Sequence, residues 1–147
     1  MDIINVKIKN LTGDAQIPAY QTPGSAACDL CATIGSPVTI EPGKSALIPT
    51  GIAIAPEESC VCLLFPRSGL AVKHGITLSN SVGVIDQDYR GEIKAALINH
   101  GSEPYTIQPG ERIAQMMFVR FAQANFLPAD ELDETERGTG GFGHTGK

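Results

Sequence analysis

Glycine and proline interrupt every apolar run in this chain, and that constrains the fold more than any other feature. There are 16 glycines and 10 prolines in 147 residues, with no tryptophan. Average usage of both turn formers is lower. Short extended segments lie between the breaks. Ile4, Val6 and Ile8 alternate with Asn5, Lys7 and Lys9, the period-two signature of a half-buried strand. Residues 38–40 read as a short strand ending at the turn Glu41-Pro42-Gly43-Lys44. The pattern returns in Ile107-Gln108-Pro109-Gly110-Glu111, so two equivalent β-turns are expected rather than a repeated unit. Residues 45–55 are extended but broken at Pro49 and Gly51. Residues 60–65, 92–99 and 112–121 are apolar on both faces, as strands between packed sheets are. Helical periodicity is confined to residues 68–73, just after Pro66. The expected fold is a single all-β domain over residues 1–129, a jelly-roll-like barrel of short strands. An acidic linker and a mobile glycine-rich arm would follow over residues 130–147.

Net charge is −5, and lysine and arginine form no run. That argues against nucleic-acid and anionic-membrane partners, so any nucleotide site must use a few local cations. The first residues carry no basic segment leading into an apolar one, and no apolar stretch reaches membrane-spanning length, so a cytoplasmic location is expected. Cys28 and Cys31 form C-x-x-C, and Cys60 and Cys62 form C-x-C. A zinc ribbon would bring two C-x-x-C knuckles, and no histidine lies nearby in sequence. The four thiols are expected to be small hydrophobes kept reduced.

Five segments carry chemistry. The C-terminal arm, Arg137-Gly138-Thr139-Gly140-Gly141-Phe142-Gly143-His144-Thr145, sets a cation, a ring, a histidine and hydroxyls among glycines. It reads as a lid over a nucleotide or as a disordered tail. In Ser79-Asn80-Ser81-Val82-Gly83-Val84-Ile85-Asp86-Gln87-Asp88-Tyr89-Arg90-Gly91-Glu92, a β-hairpin is expected between Gly83 and Gly91. Asp86 at the edge of a dry pocket could orient a water and take its proton. Tyr89 could pack on a sugar, and the backbone around it could read a base edge. The alternative is a surface hairpin whose Arg90 pairs with Glu92. Arg67, Ser68 and the amides near Gly69 form either a phosphate cradle or an ordinary strand-to-helix cap. Asp29 caps a turn or helps hold a hydrated metal. Gln115 is a satisfied core amide or a ligand contact.

Taken in order, Ala-Ala-Cys-Asp-Leu, Pro-Arg-Ser-Gly-Leu-Ala, Gly-Val-Ile-Asp-Gln-Asp-Tyr-Arg-Gly-Glu, Arg-Ile-Ala-Gln and Arg-Gly-Thr-Gly-Gly-Phe-Gly-His-Thr-Gly resemble the five motifs of the trimeric deoxyuridine triphosphatases (dUTPases). The resemblance runs from about Pro23 to Gly146. It implies a β jelly roll that forms homotrimers with active sites at subunit interfaces. It also implies Mg²⁺-dependent hydrolysis of dUTP to dUMP and pyrophosphate, which keeps uracil out of DNA and supplies dUMP for thymidylate synthesis. In that family Asp86 would activate the attacking water, and Tyr89 would stack under deoxyribose and exclude a 2′-hydroxyl. The backbone from Asn80 through Gly83, Val84 and Ile85 would read uracil, with Lys94 a further substrate contact. Arg67, Ser68, Gly69 and Gln115 would meet the phosphates, and Asp29 would hold the Mg²⁺ hydration shell. Arg137, His144 and Thr145 would bind phosphate in the closed arm. Phe142 would stack on uracil and Gly143 would give a backbone contact.

Three positions, in two of the motifs, depart from the family pattern. Ala27 and Cys28 stand where a Gly-Tyr pair is usual, and His144 stands where a serine is usual. A histidine there would add positive charge near pH 6.5, so nucleotide affinity is expected to rise below neutral pH. A flat profile, unchanged in His144→Ser, would contradict this. Two rival readings share the fold: a dCTP deaminase, which would need a glutamate base and release ammonia, and a nucleotide-binding module without catalysis.

Overall fold

The computed structural model describes residues 3–57 and 59–141. Within them, eleven strands and one short helix surround a single apolar core. The largest sheet runs β2 (Cys28–Cys31), β11 (Arg112–Arg120), β6 (Cys60–Phe65) and β8 (Gly83–Ile85), all antiparallel. A three-stranded sheet runs β4 (Ser45–Pro49), β9 (Lys94–Asn99) and β7 (Ile76–Leu78). Two ladders complete the fold: β1 (Val6–Asn10) with β5 (Ile52–Pro56), and β3 (Val38–Ile40) with β10 (Tyr105–Ile107). Ten of the eleven strands run only three to six residues, and such short strands broken by Pro and Gly cannot hold one continuous ladder. The pairings accordingly make four small sheets, and no closed barrel among the described residues. The all-β class expected from the punctuation is the observed one.

Leu30, Ile40, Ile48, Ile52, Ile76, Ile93, Leu97, Ile107 and Ile113 fill the core and are almost wholly buried. Burying each such side chain stabilises the fold by about 1.5–3 kcal/mol before the entropy of ordering is counted. Two buried polar residues brace it. Asn99 Nδ2 donates to the carbonyls of Ile40 and Glu103, both at 2.8 Å, and its Oδ1 accepts from Gly101 N at 2.8 Å. Thr50 Oγ1 donates to Ile93 O at 2.6 Å.

The two Pro-Gly turns match in geometry. Lys44 N donates to Glu41 O and Glu111 N to Gln108 O, while Gly43 and Gly110 have φ of 72° and 77°. Proline second and a positive-φ glycine third is the type II arrangement. The helix α1 (Ser68–His74) forms where expected and stops at Gly75, whose φ of 69° closes its last turn.

Two expectations need correction. The N-terminal strand is shifted to Val6–Asn10 and is mostly exposed, because β1 pairs only with β5 at the outside of the core. The hairpin expected between Gly83 and Gly91 is absent. β8 pairs with β6 in one sheet, and β9 pairs with β4 and β7 in another. The polar stretch between Ile85 and Ile93 is instead a crossing between the sheets, because each flanking strand finds a longer apolar partner elsewhere. No described helix is long and apolar enough to cross a membrane.

Candidate active site

Asp86 and Tyr89 sit on that crossing. Tyr89 N donates to Asp86 O at 3.1 Å, which closes a turn. Arg90 Nη1 caps it from outside, donating to Gln87 O at 2.6 Å and Tyr89 O at 3.0 Å. Arg90 therefore serves the turn and does not pair with Glu92. Gln87 Oε1 accepts from Ser59 N at 2.8 Å and ties the turn to the start of β6.

The turn borders a cleft of about 320 Å³ that also takes in Asn80, Gly83, Val84, Ile85, Glu92 and Lys94. The Asp86 carboxylate has no protein hydrogen-bond partner among the described residues and is exposed, so the pocket edge expected to be dry is open in the single chain. Val84 and Leu47, both on this cleft, are also exposed, as a wall awaiting a cover would be. β8 lies at the sheet edge, so one row of its backbone N–H and C=O groups has no strand partner. Such a row can match the donors and acceptors of a flat heterocycle. Gly83 lies opposite Leu64, and a Cβ there would stand 3.0 Å from the Leu64 Cβ.

A second cleft of about 540 Å³ opens beside Asp29, Phe65, Arg67, Ser68, Gly69 and Gln115. Its floor follows from strand register. Asp29 on β2, Gln115 on β11 and Phe65 on β6 are directly opposite one another and share a face. Leu64, the residue before Phe65, faces the other way and lines the first cleft. The two clefts therefore open on opposite faces of this sheet. Asp29 is gripped by two guanidiniums, with Arg67 Nε at 3.1 Å from Oδ1 and Arg112 Nη1 at 3.1 Å from Oδ2. Arg67 Nη1 also donates to Arg112 O at 3.0 Å, and Gln115 Nε2 donates to Pro66 O at 3.0 Å. Two arginines around one carboxylate leave a net positive site suited to an anion.

The cleft with Asp86, Tyr89 and Lys94 and the cleft with Arg67, Ser68, Gly69, Gln115 and Asp29 thus stay apart within one chain. Arg137 joins neither. It is exposed, and its Nε donates to Gly140 O at 2.9 Å within the terminal segment. Phe142, Gly143, His144 and Thr145 lie outside the described residues. Cys28, Cys60 and Cys62 are buried and Cys31 is half-buried, all as free thiols. Burial pushes the Cys62 thiol up to about 12.

Sequence reasoning gave no role to Arg112, and gave Glu92 only a pairing with Arg90. At period two, Arg112 and Gln115 would point to opposite faces. A register shift between Arg112 and Ala114 brings Arg112 to the Asp29 side, and nothing in the residue pattern announces that bulge. Glu92 accepts from Gly51 N at 2.9 Å and lies 3.5 Å from Lys94 Nζ. It fixes the far wall of the first cleft to Gly51, just before β5. Its proximity to Lys94 was the available signal.

An open strand edge, a stacking ring and a free carboxylate on one side, with an anion cleft on the other, suit a phosphorylated nucleoside. Known proteins agree with that chemistry. A family profile for dUTPase matches residues 13–146. The chain is 52% identical over 149 residues to the deoxyuridine 5'-triphosphate nucleotidohydrolase of Desulfitobacterium hafniense (strain DSM 10664 / DCB-2), covering 99% of each. It is 47% identical over 150 residues to that of Serratia proteamaculans (strain 568), covering 100% of this chain and 99% of the other. Among solved structures, the Staphylococcus bacteriophage 80alpha dUTPase with dUPNHPP superposes with a TM-score of 0.88 at 26% identity, over 97% of this chain and 99% of that one. A mutant phage phi11 dUTPase of S. aureus, solved to detail coordination of a structural Mg(II) ion, shares the fold with a TM-score of 0.77 at 22% identity, over 86% and 97%. The chain belongs to the dUTPase family, the dUTP diphosphatases.

Proposed function

We propose that this protein hydrolyses dUTP to dUMP and pyrophosphate in sites that neighbouring copies of a homotrimer complete. The observation that carries this reading is the first cleft, where an unpartnered carboxylate, a half-exposed ring and an open strand edge meet. The β8 edge takes uracil, whose donor and acceptor order differs from that of cytosine, and Tyr89 packs under the deoxyribose. Asp86 accepts a proton from a water that attacks the α-phosphorus. The bond from that phosphorus to the bridging oxygen breaks, and pyrophosphate carries away the electron pair. Reactions of this kind depend mainly on positioning and charge stabilisation.

Charge argues for assembly. The first cleft holds Lys94 as its only cation among the described residues, beside Asp86 and Glu92, and cannot neutralise a triphosphate. Arg67 and Arg112 border the other cleft, which lacks a seat for a base. A nucleoside triphosphate spans both only if two copies bring them together. Arg67, the Ser68 hydroxyl, the Gly69 amide and Gln115 then meet the phosphates. The glycine-rich arm, with Arg137, Phe142, Gly143, His144 and Thr145, closes over the nucleotide and excludes water.

Mg²⁺ fits this donor set as a hydrated ion. Asp29 already accepts one guanidinium on each oxygen, yet each oxygen keeps lone-pair capacity for a water. Among the described residues, no cluster of three His, Cys, Asp or Glu forms a cage. The ion would offset phosphate charge and keep most of its waters, with Asp29 holding that shell.

Pyrophosphate release from dUTP, with dTTP, dCTP and UTP as controls, tests the function. Wild type should release pyrophosphate from dUTP alone. Asp86→Asn should be slower by about 10²–10⁴-fold, the usual weight of a general base, while still binding dUTP. Equal rates in the two proteins would remove Asp86 from the mechanism, and ammonia release from dCTP would favour the deaminase reading.

A further inference from the structure

Gly91 lies between Tyr89 and Glu92, two residues that line the first cleft, and its backbone is closely approached. A Cβ built on Gly91 would stand 2.5 Å from Tyr89 Cζ and 2.9 Å from Cε2, and closer still to the hydroxyl. The tyrosine ring lies directly on the Gly91 backbone. Its hydroxyl donates to Glu92 O at 3.1 Å. That acceptor is tied on both sides: the Glu92 carboxylate takes Gly51 N at 2.9 Å, and Ile93 N donates to Ile52 O at 2.9 Å. The ring is thus held from below and at its tip, and 47% of Tyr89 remains exposed toward the cleft. Gly91 is not in the left-handed region, so its backbone would accept an L side chain without strain. What the site requires at residue 91 is the missing methyl.

We propose that Gly91 sets the sugar selectivity of the site by seating the Tyr89 ring; this rests on the reading that Tyr89 packs under the nucleotide sugar. A methyl at residue 91 lifts the ring off its seat and breaks the hydroxyl bond to Glu92 O. The half-exposed ring then turns toward solvent and vacates the space beside the 2′ carbon. Gly91 is a positioning residue: it acts only through Tyr89 and touches no reacting atom.

A double-mutant cycle separates this from a general structural effect. The readout is the ratio of kcat/KM for dUTP to that for UTP in wild type, Gly91→Ala, Tyr89→Ala and the double variant, with thermal melts recording folding. Gly91→Ala should lose about tenfold or more of the preference for dUTP and have no further effect in the Tyr89→Ala background. A Gly91→Ala protein that keeps the wild-type ratio, or shifts it equally in both backgrounds, would overturn the proposal. Calorimetric binding of dUMP against UMP to the same four proteins reads the same preference without catalysis. A wild type that binds dUMP selectively but does not hydrolyse dUTP would therefore remove the functional reading and still decide the role of Gly91.

Discussion

At the scale of single residues, the Asp29 cluster shows how few groups build the proposed anion site. One half-buried carboxylate orients two guanidiniums, and Arg67 spends a second N–H on Arg112 O. A lysine in place of Arg67 has one ammonium on a flexible stem and cannot make both bonds. Arg67→Lys should raise KM for dUTP by about tenfold, since a charged hydrogen bond contributes about 1.5–3 kcal/mol, while the melting temperature stays near wild type. Steady-state kinetics with a parallel melt checks both. The thiols give a second residue-scale prediction. Burial raises the pKa of Cys28, Cys60 and Cys62, which keeps them protonated and shielded at pH 8. Cys31 is raised too, mainly by burial, but Arg112 and Arg67 counteract that rise and it is only half-buried. A thiol reagent should modify Cys31 first in the native protein and reach the other three only after unfolding; peptide mapping of the labelled protein decides. The candidate positions legible in the sequence were those of residues whose chemistry is unusual for their setting: Asp86 after two β-branched residues, Tyr89 in a polar turn, and Arg67 after an apolar strand; the structure sets each on a cleft. Arg112 was not legible, because a bulge rather than a pattern turns it toward Asp29.

At the scale of elements, positions were readable and partners were not. β3, β4, β6 and β11 and the helix α1 fall where apolar runs and Pro-Gly breaks put them. Their order in the sheets depends on which apolar faces complement one another across long loops, and that information is spread over the chain. The hairpin expected between Gly83 and Gly91 failed for this reason. Proximity in sequence favoured β8 with β9, but Cys62, Leu63 and Leu64 on β6 offer β8 a more apolar partner. Glycines at close approaches give the sharpest element-scale test. A Cβ at Gly75 would stand 2.8 Å from Gly101 Cα, and Gly75 has φ of 69°. Both the strain and the contact oppose a side chain. Gly75→Ala should destabilise the fold by about 1–3 kcal/mol, separating α1 from the 100–101 loop, whereas Gly24→Ala, with open space around it, should be near neutral. Chemical denaturation of the two variants makes the comparison.

At the scale of the whole molecule, the single chain leaves its own surfaces unfinished. The segment after β11 forms no strand or helix through Gly141, yet carries Phe126, Leu127 and Leu132, with Phe126 89% exposed. Apolar groups of that size favour burial against another surface. Leu47 and Val84 beside the first cleft are exposed in the same way. With the proposed base seat on one face of the sheet and the arginines on the other, the proposed sites would draw Asp86 and Arg67 from different copies. Co-expression of Asp86→Asn with Arg67→Ala tests this most directly, by pyrophosphate release from dUTP in the purified mixed oligomer. Each variant alone should be nearly inactive. The mixed oligomer should recover a substantial fraction of wild-type activity, because some sites then pair an intact Asp86 from one copy with an intact Arg67 from another. Activity no greater than that of the two variants assayed separately would contradict the account and put both groups to work within one chain.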